Sequence, residues 1–553
     1  MTNVTRFLGA PGCGKTTQLK RALQSERDEH GTRYDGAYWL AFTRAGAEDT
    51  QEAFNDVYGP DVDDLEDLKS QVRTLHSLAL LAARSAGIIE DYEEQVITTD
   101  SDPGVFQEFC DEHGLRFDPD AGDLLKGDKS GPNDAPTGNK LFKADEFLRH
   151  RQLPTKRVVV ADHQLNFPMS CRRVHELLQE WRNYKRTHTP RLFQHSDYVA
   201  EVLDQGATPD AQVLLFDEFQ DFCAQELALY ELWRDSVDRV YIAGDPAQSI
   251  YGFRGASPES LEDTHADETH RLRSSYRCPS NIADVAAKVL TEHRETTDYK
   301  FTGRTDGGQV RTLNTSDRGD GPPTLATDLS DRLDRLTESW TRPTQGENSS
   351  PAVMVLARTR RRAMSISRNL RRQGVPYHWL SSSMGWGEDM GRMKLAAEQL
   401  SEGKKPIKQV ARPFVTALPG KAKERIDWNR YGIDTTANDL LEVLPGTPLE
   451  SSKKLDIDEW RREAIVRALE ADTATASEAV AVGTLHASKG LEAPHVYVDT
   501  YAPKQVRQAY RGKSSGGEEH RVHYVGFSRA SDTLTILDPA DAVCNPAVRG
   551  VLR

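Results

Sequence analysis

Cysteine is scarce and scattered: the six in 553 residues (Cys13, Cys110, Cys171, Cys223, Cys278 and Cys544) never fall in a C-x-x-C or Cys/His spacing. Their placement argues against a zinc-finger site and against a disulfide scaffold. Long hydrophobic runs are missing too. A typical apolar stretch, Leu78 to Ala83, stops at Arg84, far short of the roughly 20 residues that cross a bilayer as a helix. An excess of basic charge is absent as well: 71 Lys and Arg stand against 85 Asp and Glu, a formal net charge of −14. That excludes a histone-like protein. The opening residues lack the basic start, apolar centre and small-residue cleavage site of a secretory signal, so a cytoplasmic protein without a membrane partner is expected.

What is present is length, enough for three or four domains at about 150 residues each, and a pattern of short apolar runs alternating with helical periodicity. Val4 to Leu8 reads as a strand, followed by a glycine-rich turn and a helix from Lys15 to Leu23. Tyr38 to Thr43, Val213 to Phe216 and Val240 to Ala243 are further strands. They end in polar, acidic or glycine residues, as in a parallel sheet buried on both faces. Helices are expected over Ala45 to Val57, His76 to Ala83 and Gln225 to Trp233, closing a first α/β lobe near Ala256. A second series is expected to start with a strand near Leu272 and to continue with a helix from Pro279 to Leu290, a strand over Val353 to Ala357 and a helix over Thr359 to Gln373. It resumes with strands at Val480 to Thr484, Val496 to Val498 and Thr533 to Leu537 and a helix over Glu518 to Ser528. Thr302 to Pro323 and Gln345 to Pro351 read as loops. The domain reading is one lobe from residues 1–84 and 197–256 with an insertion at 85–196, and a second from 257–386 and 479–553 with an insertion at 387–478.

Gly9-Ala10-Pro11-Gly12-Cys13-Gly14-Lys15-Thr16 fits the phosphate-binding pattern G-x-x-x-x-G-K-[ST] between a strand and a helix. Glycines allow backbone N–H groups to turn toward phosphate oxygens, and the helix N-terminus adds partial positive charge. Lys15 is placed to reach the β/γ-phosphates and Thr16 to give an oxygen to Mg²⁺. Asp217-Glu218-Phe219-Gln220-Asp221 follows an apolar strand, so its first carboxylates leave the carboxyl edge of the sheet, where such folds bind ligands. Asp217 is expected to hold Mg²⁺ and Glu218 to orient or deprotonate the attacking water. Alone, such an acidic cluster is more often a solvated helix start; beside the P-loop it reads as a nucleotide-hydrolysis site.

These elements, with further strings in order along the chain, resemble the UvrD/Rep-type superfamily 1 DNA helicases of the 3′→5′ subgroup. The strings are Ala41-Phe42-Thr43-Arg44, Thr74-Leu75-His76-Ser77, the run Gly244 to Ala256 (GDPAQSIYGFRGA), Tyr276-Arg277, the run Thr484 to Glu492 (TLHASKGLE) and Tyr524 to Ala530 (YVGFSRA). They cover both α/β lobes and neither insertion. The resemblance implies an α/β fold of two RecA-like P-loop lobes with parallel sheets, each carrying an inserted, mainly helical subdomain. It also implies ATP and Mg²⁺ as cofactors and single-stranded and 3′-tailed duplex DNA as partners. Around the nucleotide it assigns Gly12, Cys13, Gly14, Lys15, Thr16 and Thr17 to phosphate and base, Gln248 to the γ-phosphate, Arg277 and Arg529 as arginine fingers, Tyr276 to adenine stacking and Glu492 to the ribose. For DNA it assigns base stacking to Phe42, Tyr251 and Phe253, with Thr43, Arg44, Thr74, His76, Arg254, Thr484 and His486 near the backbone. Base stacking on an aromatic is worth about 1–3 kcal/mol whatever the base, against about 1.4 kcal/mol to unstack a duplex step.

Several residues depart from the family pattern. Thr17 stands where many relatives have arginine, Phe253 replaces a tryptophan, no aromatic follows Phe527 where relatives carry a strand-separating pin, and the insertion at 387–478 is reduced. Taken singly, Arg277 and Arg529 read as ion-pair partners, the aromatics as core and the two histidines as structural. The resulting expectation is an ATP-dependent 3′→5′ translocase and helicase. The alternative is a nucleotide-gated DNA-binding factor that displaces proteins without processive unwinding.

Overall fold

The computed structural model describes residues 2–41, 44–62, 64–99, 101–119, 135–291, 301–305, 307–315, 323–337, 350–373, 375, 377–380, 388–419, 425–426, 428, 435–457, 459–470, 479–510, 516–539 and 543–552. The chain divides into two compact units, Met1–Tyr276 and Arg277–Arg553.

The first unit is built on a six-stranded sheet from β1 (Asn3–Gly9), β2 (Ala37–Leu40), β3 (Val72–Arg73), β4 (Val213–Phe216), β5 (Arg239–Gly244) and β6 (Glu268–Leu272), in the order β3-β2-β4-β5-β1-β6. Every pairing is parallel, so all carboxyl ends lie along one edge. Successive residues serve opposite faces. Phe7, Leu215 and Ala243 pack with Leu19, Leu23 and Phe54 from α1 (Lys15–His30) and α2 (Arg44–Tyr58). Leu8, Leu214 and Phe216 pack on the other face with α3 (Leu75–Ser85). An inserted helical block follows: α4 (Tyr92–Gln95), α5 (Pro103–Glu112), α6 (Thr137–His150), α7 (Val158–Leu165) and α8 (Cys171–Thr187). It has its own core around Phe106, Phe109, Phe142 and Trp181. The chain then returns to the sheet through α9 (His195–Gln205), and α10 (Ala224–Arg234) and α11 (Glu259–Asp263) complete the unit.

One expectation fails here. The strand near Leu272 does not open the second series: β6 pairs with β1, Thr5 opposite Glu268 through Gly9 opposite Leu272. The first unit therefore runs past Ala256, to Tyr276. β6 sits at the sheet edge and is mostly exposed, so it carries none of the apolar signal that marks interior strands.

After β7 (Ser274–Pro279), the second unit contains β8 (Thr302–Arg304), β9 (Gln309–Asn314), β10 (Val353–Ala357), β11 (His378–Trp379), β12 (Val480–Thr484), β13 (Ala493–Asp499) and β14 (Ala530–Asp538). Its six-stranded sheet runs β11-β12-β10-β13-β14-β9 and is likewise all parallel. Its helices include α12 (Ser280–Thr291), α13 (Pro323–Thr337) and α14 (Arg360–Arg372), followed by α15 (Glu388–Ser401), α16 (Lys408–Thr416), α17 (Ala437–Val443), α18 (Pro448–Ser452) and α19 (Glu459–Glu470). The stretch read as loop from Thr302 to Pro323 holds two strands, and β9 extends the sheet by pairing with β14. The block read as an insertion at 387–478 is helical where it is described, as the resemblance implies, and among the described residues its apolar side chains share the core of the sheet. Ala396, Ala411, Phe414 and Leu440 join Val353, Val355 and Val480 in one cluster. Among the described residues no helix is long and apolar enough to cross a membrane.

Candidate functional site

The glycine-rich turn leaves β1 with Gly12 at φ 69° and Gly14 at φ 80°, left-handed angles that L side chains rarely adopt. Gly14 is the N-cap of α1, which points the free N–H groups of the first helical turn into the loop. Lys15 is buried, and its Nζ donates to Gly9 O (3.0 Å) and Ala10 O (3.4 Å). Cys13 is buried and Thr17 exposed. The following strand closes the loop from outside: Tyr276 N–H donates to Gly12 O (2.8 Å), and Ser275 Oγ to Pro11 O (2.7 Å). Tyr276 is 75% exposed, and its Cε2 lies 3.9 Å from where a Cβ on Gly14 would stand. An open aromatic face thus flanks the phosphate loop.

β4 delivers the carboxylates. Thr16 Oγ1 donates to Asp217 Oδ2 at 3.2 Å, bringing residues 201 positions apart into one site. Burial, with Glu218 next to it, pushes the Asp217 carboxyl up to about 6, against the pull of Lys15. A hydroxyl and a carboxylate at that separation fit the oxygen donors a Mg²⁺ ion takes beside a P-loop. Glu218 is held at φ 54°, ψ 37°, a left-handed conformation costing roughly 1–2 kcal/mol for a residue with a Cβ. Its Oε2 accepts from Gln220 Nε2. Gln220 Oε1 accepts the Asp245 N–H (2.9 Å), and Gln248 Nε2 donates to Asp245 Oδ2 (2.8 Å). The ends of β4 and β5 are therefore joined by a hydrogen-bonded chain, half-buried Glu218 followed by buried Gln220, Asp245 and Gln248. Glu218 is singled out by its place after an apolar strand and Gln248 by the resemblance; the two residues between them were missed, although both stand inside the quoted strings.

Among the residues expected near DNA, Phe42 and Thr43 lie outside the described residues, and Arg44 begins α2. Thr74 is the N-cap of α3, accepting from Ser77 N–H. Tyr251 and Phe253 meet edge to face, 5.9 Å between centroids at 74°. Both are only partly buried and lie outside the hydrophobic cores. Arg254 and His76 converge on Glu226 of α10, with Nη2 and Nδ1 at 3.6 Å and 3.7 Å from its Oε1. Burial alone would raise the Glu226 carboxyl, but His76, Arg254 and the Cys223 N–H outweigh it and hold it below the usual carboxylate range. Burial lowers His76. Glu226 has no sequence signature; it is one acid on an amphipathic helix.

In the second unit, Arg277 Nε is paired with Glu492 Oε2, so two residues assigned separate roles touch each other. Arg529 is 2% exposed. It donates to Val525 O (2.9 Å) and Leu491 O (3.2 Å), two backbone carbonyls that fix its guanidinium. Thr484 Oγ1 accepts from Ala487 N–H (3.2 Å), and His486 is half-buried in the same turn.

The chain is similar to known proteins over much of its length. Residues 2–268 match the UvrD/REP helicase N-terminal domain and residues 447–538 the UvrD-like helicase C-terminal domain. The ATP-dependent DNA helicase UvrD2 of Mycobacterium tuberculosis is 25% identical over 373 residues, 63% of this chain and 50% of the relative. DNA helicase II of Escherichia coli is 40% identical over 81 residues, 14% of this chain and 11% of the relative. The Gabija protein GajB of Bacillus cereus is 28% identical over 169 residues, 30% of this chain and 31% of the relative. The chain spans about half the length of the UvrD2 relative it matches. Two parallel sheets, a P-loop answered by a β4 carboxylate, and matched domains at both ends of the chain lead to one conclusion: the chain belongs to the UvrD/REP helicase family.

Proposed function

We propose that the chain is an ATP-driven motor that moves 3′→5′ on single-stranded DNA and separates duplex ahead of it. The observation that carries this reading is the 3.2 Å contact between Thr16 Oγ1 and Asp217 Oδ2 at the P-loop. It joins phosphate-binding and metal-binding groups on one sheet edge, with Glu218 next in sequence. When bound, Mg²⁺ supplies charge neutralisation between phosphate oxygens; Thr16 and Asp217 would hold it. Lys15 and the amides of Gly12, Cys13 and Gly14 hold the phosphates. Tyr276 stacks on the base, with Thr17 beside it. Glu218 orients the attacking water, and Gln248, tied to Glu218 through Asp245 and Gln220, reports on the γ-phosphate. Arg277 and Arg529 supply positive charge to the transferring phosphoryl group, and Glu492, partner of Arg277, contacts the ribose. Phe42, Tyr251 and Phe253 stack DNA bases, while Thr43, Arg44, Thr74, His76, Arg254, Thr484 and His486 line the strand.

The test is ATP-driven separation of a 3′-tailed duplex beside a 5′-tailed one. The expected result is opening of the 3′-tailed substrate alone. Lys15→Ala and Glu218→Gln should each lower hydrolysis by roughly 100- to 1,000-fold, the scale for losing one group aimed at developing charge. Strand-stimulated hydrolysis without separation would identify a remodelling factor instead. Opening of only the 5′-tailed duplex would reverse the polarity. Hydrolysis indifferent to oligonucleotide would end the motor reading.

A further inference from the structure

We propose that Arg151, from the inserted helical block, is the positioning residue for the aromatic turn Tyr251–Gly255. The inference rests on reading that turn as a base-stacking face. Arg151 is the C-cap of α6, at φ −96°, ψ 4°, and the next residue, Gln152, turns the chain away at φ 51°. Its Nη2 donates to two consecutive carbonyls of the turn, Gly252 O at 2.7 Å and Phe253 O at 3.0 Å. Its Cζ stands 3.7 Å from the centroid of the Phe147 ring, and Phe147 is buried in the core of the inserted block. Gly255, at φ 103°, makes room: a Cβ there would stand 3.0 Å from Arg151 Cγ.

The geometry has one purpose. The carbonyls of residues 252 and 253 belong to the two peptide planes that flank Phe253, so fixing both fixes the direction in which its side chain leaves the backbone. One guanidinium, its Cζ held 3.7 Å over an aromatic ring, bridges the two oxygens with little entropy left to lose. Lysine has a compact charge without that plane. On the far side the same turn is held through Arg254 by Glu226 of α10. The stacking pair is thus preorganised between the sheet domain and the inserted block. Preorganisation of this kind raises affinity by lowering the ordering cost of binding. Arg151 has its guanidinium on protein carbonyls, so it acts through the turn and not through a DNA phosphate.

Arg151→Met and Arg151→Lys are compared with the unaltered chain by the oligo(dT) concentration that half-maximally stimulates ATP hydrolysis, over a series of salt concentrations. Both substitutions should raise that concentration roughly tenfold, the order of losing part of a base–aromatic stack. The maximal rate should stay within about twofold, and the slope of log affinity on log salt should not change. The lysine variant retains charge and an aliphatic stem over Phe147, so its behaviour separates geometry from folding. An unchanged half-maximal concentration in both variants overturns the inference. So does a salt slope reduced by about one, the mark of a lost phosphate contact. If the unaltered chain hydrolyses ATP without regard to DNA, the base-stacking reading itself has failed, and that result is distinct from either of the others.

Discussion

Gly244 shows how tightly single residues are fitted around the candidate site. A Cβ there would stand 2.3 Å from Gln220 Oε1 and 2.6 Å from Leu261 Cδ2. Gln220 cannot yield freely, because that same oxygen accepts the buried Asp245 N–H. Gly244→Ala should therefore destabilise the first unit by about 1–3 kcal/mol, read as a lower melting temperature. An unchanged melting temperature would show that Gln220 relaxes without cost. The residues legible in the sequence are those whose chemistry imposes a spacing: Lys15 and Thr16 behind two glycines, and Asp217 and Glu218 directly after an apolar strand. Glu226 and Arg151 were not legible. A lone charge on a helix or at its end has no partner spacing to betray it until folding brings residues 76, 252 and 254 alongside.

At the scale of elements, interior strands could be read and edge strands could not. VLLF of β4 and VMVLA of β10 are buried along their whole length, so composition alone marks them. ETHRL of β6 and QVRTLN of β9 keep one side open to solvent and look like loop. The helices of the inserted block at 387–478 bury their apolar residues in the same cluster as Val353, Val355 and Val480, a partnership between distant segments that no local spacing announces. The join between β13 and α14 offers a test of that second core. Arg362 is 2% exposed and Asp499 fully buried; Nε and Nη2 both donate to the carboxylate, the second at 3.3 Å. Removing one partner of a buried pair costs about 3–5 kcal/mol. Asp499→Asn should accordingly lower hydrogen-exchange protection across β10 and β13 while the first unit's strands keep theirs. Equal protection in both proteins would contradict the assignment.

Over the whole molecule, the acid response follows from histidines that neither nucleotide nor DNA is assigned to touch. Burial lowers His150 in the first unit and His523 in the second to about 4 from 6.5. Between about 6.5 and 4 the unfolded chain binds protons that the folded chain refuses, so stability falls as the solution is acidified and levels off below about 4. At about 1.4 kcal/mol per pKa unit, each histidine contributes on the order of 3 kcal/mol to that loss. Asp217, raised from 3.8 to about 6, works in the opposite sense over most of the same range and offsets about one histidine. The net expectation is a lower denaturant midpoint at pH 5 than at pH 7.5; a flat or rising midpoint would sink it.

The left-handed backbone at Glu218 has a consequence for how such a chain can be improved. A glycine would sit there without strain, so a screen rewarding heat tolerance alone would be drawn to replace the acid proposed to orient the attacking water. Ruggedness and turnover pull in contrary directions at this position, and any lineage that retains the glutamate keeps it by selection for work.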